Sequence, residues 1–516
     1  MGFIAKQSVR GAAANYVGVV LGFFITFFVL TDCLTQEEIG LTRVMVDAAM
    51  LFSALAQLGS NSSIVRFFPR FKNGEGGGNH GIFGLSLLIP LVGFAIFAAL
   101  FFLLRNPIMT LYAEKAPMIV DYFYLLLPLT FFALYMTVFE TNASILQHIA
   151  VPKAVREVGV RLLNLASYLL YGHGVVSLDQ FVLLFVGAYG VAMVVDMLYL
   201  VRLGGISLRI DWHFIDRPMA GELLRYTLLM TATVLAGNIP LINSLFLGAQ
   251  TGLALTGVYT IAFYIANIVE VPYRSLGAIS RPVVAAAMAA GNNAETTRLA
   301  RQVSLHQFMV STMIFCAIWI NLDTVFAVIP NGADYAGGMG VVLLLSMAKI
   351  VNSSLSIATD IVNFSHKYAW SLLFIALLTV TAILFNQWLI PLWGINGAAA
   401  ATLFSYALYF AALLTFVWRT HRVGLFCTAH LKVAVVVIGL LAADWLWRFA
   451  IGGLLGTDHL LSQALGTTLG AIAGSLAKSL LLGAAAVWAI YHWQISPTLN
   501  QALASALCKA RRGREE

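Results

Sequence analysis

Charged residues are scarce in this chain. Only 10% of its 516 residues are Asp, Glu, Lys or Arg, while 60% are hydrophobic, and the mean hydropathy is +0.87. Soluble globular proteins carry about 25% charged residues. A chain this poor in charge cannot cover itself with polar surface and must take lipid as its main solvent. Cysteine is also rare: Cys33, Cys316, Cys427 and Cys508 are scattered, with no CxxC pair, and read as isolated thiols with no shared role. There is no Walker A loop, which excludes nucleotide hydrolysis by that route. There is no HExxH motif and no Cys/His cluster of the kind a metal enzyme needs. The expectation is a protein that is not an enzyme and uses no cofactor or metal.

What the chain does have is long, unbroken apolar runs, such as Val17 to Leu30 and Ile82 to Leu104. A spanning helix needs about 20 such residues, whereas membrane barrels show short alternating segments. Lipid offers no partner to a bare backbone, so these runs should be helices. The fold class expected is all-α, a polytopic membrane protein of about fourteen spans. They are placed near 11–33, 39–64, 81–104, 118–142, 156–173, 180–202, 223–247, 254–279, 303–325, 338–362, 369–390, 396–418, 431–451 and 466–492. The fifth is the weakest, because Arg161 and Asn164 lie inside it. The first run is long, has no small-residue cleavage site and leads straight into the second, so it does not read as a leader. Met1-Gly2 is not followed by the Ser or Thr that myristoylation wants, since Lys6 stands there.

Loop charge sets the orientation. With the N-terminus in the cytoplasm, 24 of the 30 Lys and Arg residues fall in inner loops, tails or the inner ends of spans. Only Arg105, Lys115 and Arg448 fall outside, and Arg43, Lys349 and Lys478 lie within spans. Both termini are then cytoplasmic. The net charge of +7 needs no nucleic acid to explain it; anionic inner-leaflet lipids are the counter-surface.

The outer loops are too short for a soluble domain. The longest inner connection, Leu203 to Glu222, carries Gly204-Gly205 and Pro218 and reads as a linker. The expected division is a six-helix lobe over 1–203, the linker over 204–222, a second six-helix lobe over 223–422, and two additional helices with a basic tail over 423–516. The halves show a faint likeness. Gly40-Leu41-Thr42-Arg43-Val44 opens the second span as Gly257-Val258-Tyr259-Thr260-Ile261 opens the eighth, and Leu58-Gly59-Ser60 stands against Leu276-Gly277-Ala278. Repeated halves are a common way to build a transporter. Gly18-xxx-Gly22 reads as close helix packing.

Ionisable residues inside a span cost about 2.5–3.5 kcal/mol on insertion scales and usually face a cavity or a partner helix. In the second span Arg43, Asp47, Gln57 and Asn61 recur at helical spacing, with Ser53 close by. In the eighth, Thr260, Tyr264, Asn267, Glu270 and Arg274 share a face, and Pro272 removes a backbone donor there. In the tenth, Lys349 should lie about 11 residues, or ~16 Å, below the outer end, with Asn352, Ser353, Ser356 and Asp360 along the same face. Each stripe has two readings. One is a polar, hydrated chamber. The other is structural: an Arg43–Asp47 or Glu270–Arg274 pair within one helix, and Lys349 against a carboxylate on a neighbour. Glu140 and Asp196 are further buried carboxylates, either proton or cation carriers or helix–helix contacts.

The stretch from Leu34-Thr35-Gln36-Glu37-Glu38-Ile39-Gly40 to Leu58-Gly59-Ser60 resembles the first-loop and second-helix pattern of polysaccharide-biosynthesis flippases. So does the run from Gly257-Val258-Tyr259-Thr260 through Glu270-Val271-Pro272-Tyr273-Arg274-Ser275 to Ser280-Arg281-Pro282. The larger grouping is the multidrug/oligosaccharidyl-lipid/polysaccharide exporter superfamily. The resemblance implies two lobes alternating around a central cavity and movement of an undecaprenyl-pyrophosphate-linked oligosaccharide from the inner to the outer leaflet of the bacterial inner membrane, for surface polysaccharide such as O-antigen or capsule. Its partners would be the lipid-linked oligosaccharide, membrane lipids, and a polysaccharide polymerase and glycosyltransferases. On this reading Lys349, Arg43 and Arg274 contact the anionic pyrophosphate, Asn267, Asn352 and Gln57 meet sugar hydroxyls, and Asp47, Glu270 and Asp360 balance charge or couple an ion. The lipid II flippase branch carries arginines deep in its first helix; here that helix has only Arg10 and Asn15, which favours a surface-polysaccharide substrate. The rivals are a multidrug antiporter of the same superfamily, a membrane-embedded enzyme of polysaccharide assembly, and a non-transporting scaffold. Two extra C-terminal spans argue against the first, and the short outer loops without an acidic pair argue against the second.

Overall fold

A computed structural model describes residues 17–72, 79–204, 208–237, 241–447, 449 and 467–495. Regular structure among these is helical throughout. The helices used below are α1 (Val17–Cys33), α2 (Gln36–Ala56), α3 (Ser60–Phe71), α4 (Ile82–Leu103), α5 (Leu126–Ile145), α6 (Val160–Gly172), α7 (Leu178–Leu203), α8 (Arg217–Gly237), α9 (Ile242–Thr251), α10 (Leu253–Asn267), α11 (Val271–Ala289), α12 (Asn293–Ile320), α13 (Met339–Phe364), α14 (Trp370–His421), α15 (Thr428–Trp447) and α16 (Thr467–His492). Among the described residues, ten helices are long and apolar enough to cross a membrane. One of them, α14, runs 52 residues and is broken at Gly394, where φ is 55°, so it holds two of the expected spans. The first, fifth and seventh expected spans coincide with shorter or interrupted helices, and the described residues therefore do not by themselves give a count of fourteen.

Local chemistry sets where the helices begin and break. Thr35 caps α2: its hydroxyl accepts from the Glu38 N–H, and the Glu38 carboxylate accepts from the Thr35 N–H at 2.8 Å. Such a box satisfies two otherwise orphaned donors. The other Glu38 oxygen accepts from the Tyr171 hydroxyl on α6 at 2.5 Å. Between α2 and α3 the chain turns through Leu58 (φ 51°) and Gly59 (φ 66°). Two successive left-handed residues end a helix, and glycine takes the second at little cost. Pro272 is the second residue of α11, where its missing N–H is harmless, and the three residues before that helix, Ile268–Glu270, form a tightened 3₁₀ turn.

The helix-packing motif in α1 is realised. A Cβ on Gly18 would stand 2.8 Å from the Glu157 carbonyl oxygen, and one on Gly22 would stand 2.5 Å from the Arg161 guanidinium. Arg161, the residue that weakened the fifth span, pairs with Glu157 one turn away at 3.2 Å.

The chain forms two compact units, one of residues up to Ile261 with Ile375–Ala401, the other of Ala262–Phe374 with Thr402 onward. The first unit has apolar clusters around Leu134, Val138 and Leu200, and around Ile64, Phe67, Ile82 and Phe83. The connection after α7 is tied to this unit. His80 and Asp211 pair at 3.0 Å, the His80 ring stacks on Phe214 at 3.7 Å, and Arg70 pairs with Glu222 at 2.7 Å. In the second unit, α15 and α16 pack on α12 through Phe315, Ile320, Val433, Leu440 and Ile490. Lys478 of α16 pairs with Asp444 of α15 at 2.9 Å and donates to the Ile320 carbonyl at 2.7 Å. That carbonyl belongs to the last turn of α12, where carbonyls lie beyond the regular i+4 ladder of a helix.

Candidate functional site

In the second unit the tenth expected span places its cation against the helix break before α11. Lys349 Nζ donates to Glu270 Oε2 at 2.6 Å, and Asn352 Nδ2 donates to Glu270 Oε1 at 2.9 Å. Both carboxylate oxygens are thereby used, and the two side chains of the ion pair are 9% and 13% exposed. The Lys349 ammonium also lies 5.6 Å from the centre of the Phe263 ring, within range of a cation–π attraction. Glu270 is the last residue of the 3₁₀ turn before α11, and its carboxylate meets α13.

A second pair repeats this one with the charges exchanged. Arg281 of α11 donates to Asp360 of α13 at 3.2 Å, and its guanidinium also donates to the Tyr273 hydroxyl at 2.7 Å. From 270 to 281 on one chain segment and from 349 to 360 on the other is the same eleven-residue step. Eleven residues make about three turns, or ~16 Å, so the two pairs lie on matching faces. The upper pair has its carboxylate on the α11 side and its cation on α13; the lower has them reversed. This order fits one register of α11 against α13, because a slide of one turn would bring both pairs out of reach. Between the pairs, Ser353 faces α12 instead and meets Ser311 at 2.8 Å.

In the first unit Arg43 and Asp47 pair within α2 at 2.6 Å, almost fully buried. Ser244 of α9 donates to the same Asp47 oxygen at 2.6 Å. Nearby on α9, Asn243 donates to the Tyr259 hydroxyl at 3.0 Å, and its carbonyl accepts from Asn386 at 2.9 Å. Gln57 is buried at the end of α2. Asn61 lies beyond the left-handed break and donates to the Thr137 carbonyl at 3.3 Å, so the polar stripe expected along the second span is interrupted at Leu58.

The structure thus brings Lys349, Asn352 and Glu270 together, joins Arg43 to Asp47, and places Asp360 with Arg281. Asn267 is half-buried at the end of α10, just before the break. The side chain of Arg274 lies outside the described residues. Sequence reasoning missed Ser244, Asn243 and Asn386 as partners, although polar residues inside apolar runs were the signal available for all three. Outside the membrane-spanning segments, the hydrogen bond from His80 holds the Asp211 carboxyl below the ordinary carboxylate value, with help from the Phe214 and His213 N–H groups. Among the described residues no three His, Cys, Asp or Glu side chains converge as they would on a metal ion.

The sequence signature described as "Polysaccharide biosynthesis protein" matches residues 8–288, more than half of the chain. No curated protein sequence matches it. Among solved structures, the lipid II flippase MurJ in an inward closed conformation is similar at 10% identity, with a TM-score of 0.68 over 95% of this chain and 100% of that one. A multidrug resistance MATE family transporter of the MOP superfamily, inward-facing, is similar at 15% identity and a TM-score of 0.60, over 81% of this chain and 98% of that one. The Vibrio cholerae MATE transporter VcmN follows the same path at 14% identity and a TM-score of 0.52, over 82% of this chain and 98% of that one. These likenesses establish the fold, and with the signature over its first 288 residues the chain belongs to the polysaccharide biosynthesis protein family.

Proposed function

We propose that this protein is a flippase that moves an undecaprenyl-pyrophosphate-linked oligosaccharide, destined for surface polysaccharide, from the inner to the outer leaflet of a bacterial inner membrane by alternating access. Family membership and the flippase fold support the class. The observation that carries the site is the Lys349–Glu270–Asn352 node. An ammonium is expensive at mid-span depth, and Glu270 offsets its cost. A pyrophosphate bears more negative charge than one carboxylate, so it competes for Lys349 while Glu270 and Asn352 become free to accept from and donate to sugar hydroxyls. Arg43 with Asp47 is the corresponding cation and counter-charge of the first unit, and Arg274 is the third anion contact. Gln57 and Asn267 are assigned to the sugar, and Asp360 to charge balance. Lys349, Arg43 and Arg274 suit an anionic cargo better than the cationic drugs of a multidrug exporter. The described part of α1 carries no Lys or Arg, which favours a surface-polysaccharide precursor over the lipid II that MurJ is named for.

The test is Lys349→Ala in the native host. Surface polysaccharide should disappear and the lipid-linked unit should accumulate, with the protein still present in the membrane. Normal export by this variant would overturn the site assignment. Loss of drug resistance without loss of polysaccharide would move the protein to the exporter class.

A further inference from the structure

The first unit holds a buried carboxylate that the proposed cargo site does not use. Asp196 of α7 is 2% exposed, and its Oδ1 has no hydrogen-bond partner among the described residues. It lies seven residues, about 10 Å, from the end of α7. Among the described residues, the charged groups that act on it are Glu140 of α5 and Arg156. Arg156 belongs to a π-helical turn, Val155–Gly159, that precedes α6. Such one-turn bulges recur at functional sites because they re-aim a side chain. Here the bulge points the guanidinium at α5, where it donates to Glu140 at 2.6 Å and to the Thr137 hydroxyl at 2.8 Å. Glu157 in the same turn is already paired with Arg161.

The charge count decides what Asp196 holds. Two carboxylates and one guanidinium leave one negative charge uncompensated. A buried ionised carboxylate without a partner costs several kcal/mol, and such a group takes up a neutralising ion instead. Glu140 already has the guanidinium, so the neutralised group is Asp196. A metal cation is disfavoured, because Arg156 repels it from the neighbouring carboxylate and a hard cation wants six or more oxygen ligands. The geometry points to Asp196 as a proton-binding site, occupied in this packing of α5, α6 and α7. One turn further toward the end of α7, the Tyr199 hydroxyl lies 3.3 Å from His148 Nδ1, which offers exchangeable protons between the site and the turn after α5. Use of this proton to drive transport rests on the flippase reading; the site itself does not.

The experiment uses the purified full-length protein and no cargo. Infrared difference spectra are recorded near neutral pH for the wild type and Asp196→Asn, in choline and in sodium buffers. The expected result is a protonated-carboxyl C=O band in the wild type, absent in the variant and the same in both buffers. Since Asn is neutral and nearly isosteric with a protonated Asp, the variant should also fold and melt within about 2 °C of the wild type. Three outcomes would overturn the assignment: no band removed by the substitution, a band lost on adding sodium, or a variant that fails to fold.

Discussion

Lys349 and Arg43 are both buried cations, yet they are held in different ways. The Arg43 partner is one turn away on the same helix, so it stays close even when neighbouring helices move. The Lys349 partner is 79 residues distant in sequence, so the pair exists only while α13 lies against the break before α11. Removing one member of such a pair strands the other, at a cost of about 3–5 kcal/mol, whereas replacing both with neutral groups of similar size is often tolerated. We therefore expect Lys349→Met to lower stability by about 3 kcal/mol, and the double variant Lys349→Met with Glu270→Gln to recover most of it. Thermal unfolding in detergent measures both. On the proposed role of Lys349, export should stay abolished in the double variant, because the proposed anion contact is still missing. A double variant that regains export along with stability would show that the node only packs helices. The sequence made the Arg43–Asp47 pair legible, since four-residue spacing implies contact on a helix. It showed Lys349 and Glu270 as members of two stripes but not as partners. Their meeting depends on a 3₁₀ turn and on inter-helix register, neither of which leaves a local pattern.

Helix existence was legible at the scale of elements, because unbroken apolar runs of about 20 residues leave a chain in lipid few alternatives. Helix breaks were less so. The expected second span runs through Leu58-Gly59, where the chain in fact turns, while the counterpart Leu276-Gly277 stays inside α11. The likeness between the halves fails there and holds at the helix starts. A Cβ on Gly40 would stand 2.0 Å from the Leu253 carbonyl oxygen, and a Cβ on Gly257 would stand 2.1 Å from the Gln36 carbonyl oxygen. Each glycine meets the residue four positions before the other, which is the reciprocity of a two-fold-related crossing of α2 and α10. The family-like stretches around these glycines are thus explained by backbone contact as well as by the cap at Thr35. Both obstructing atoms are backbone, so neither can move aside cheaply. Gly40→Ala and Gly257→Ala should each destabilise the protein by about 1–3 kcal/mol. The double variant should lose less than the sum, since helices separated by one methyl accommodate the other. Additive losses, or a tolerated change at one glycine only, would mean that the two contacts are independent.

For the whole molecule the least local property is the sidedness of its charge. No single loop sets the expected orientation; it rests on 24 cations assigned to one side against three on the other, because moving cationic loops across the membrane is disfavoured. The paired cations within helices do not disturb this count: Lys349 is neutralised by Glu270, Lys478 by Asp444 and Arg43 by Asp47. The orientation expected from this asymmetry would put the loop before Pro117 outside and the turn after α13 inside. Glu114 in the first of these has an 86% exposed side chain, and Lys367 in the second is also exposed, so a thiol at either position is open to reagent from its own side alone. In spheroplasts, a membrane-impermeant maleimide should label Glu114→Cys well above the unmodified chain, with its four native cysteines, and should leave Lys367→Cys at background. Permeabilising the membrane should bring the second variant up to the level of the first. The reverse order would invert the protein. Cargo loaded at the cytoplasmic leaflet would then meet the face on which this chain has hardly any positive charge, and the direction of transport proposed here would have to be given up.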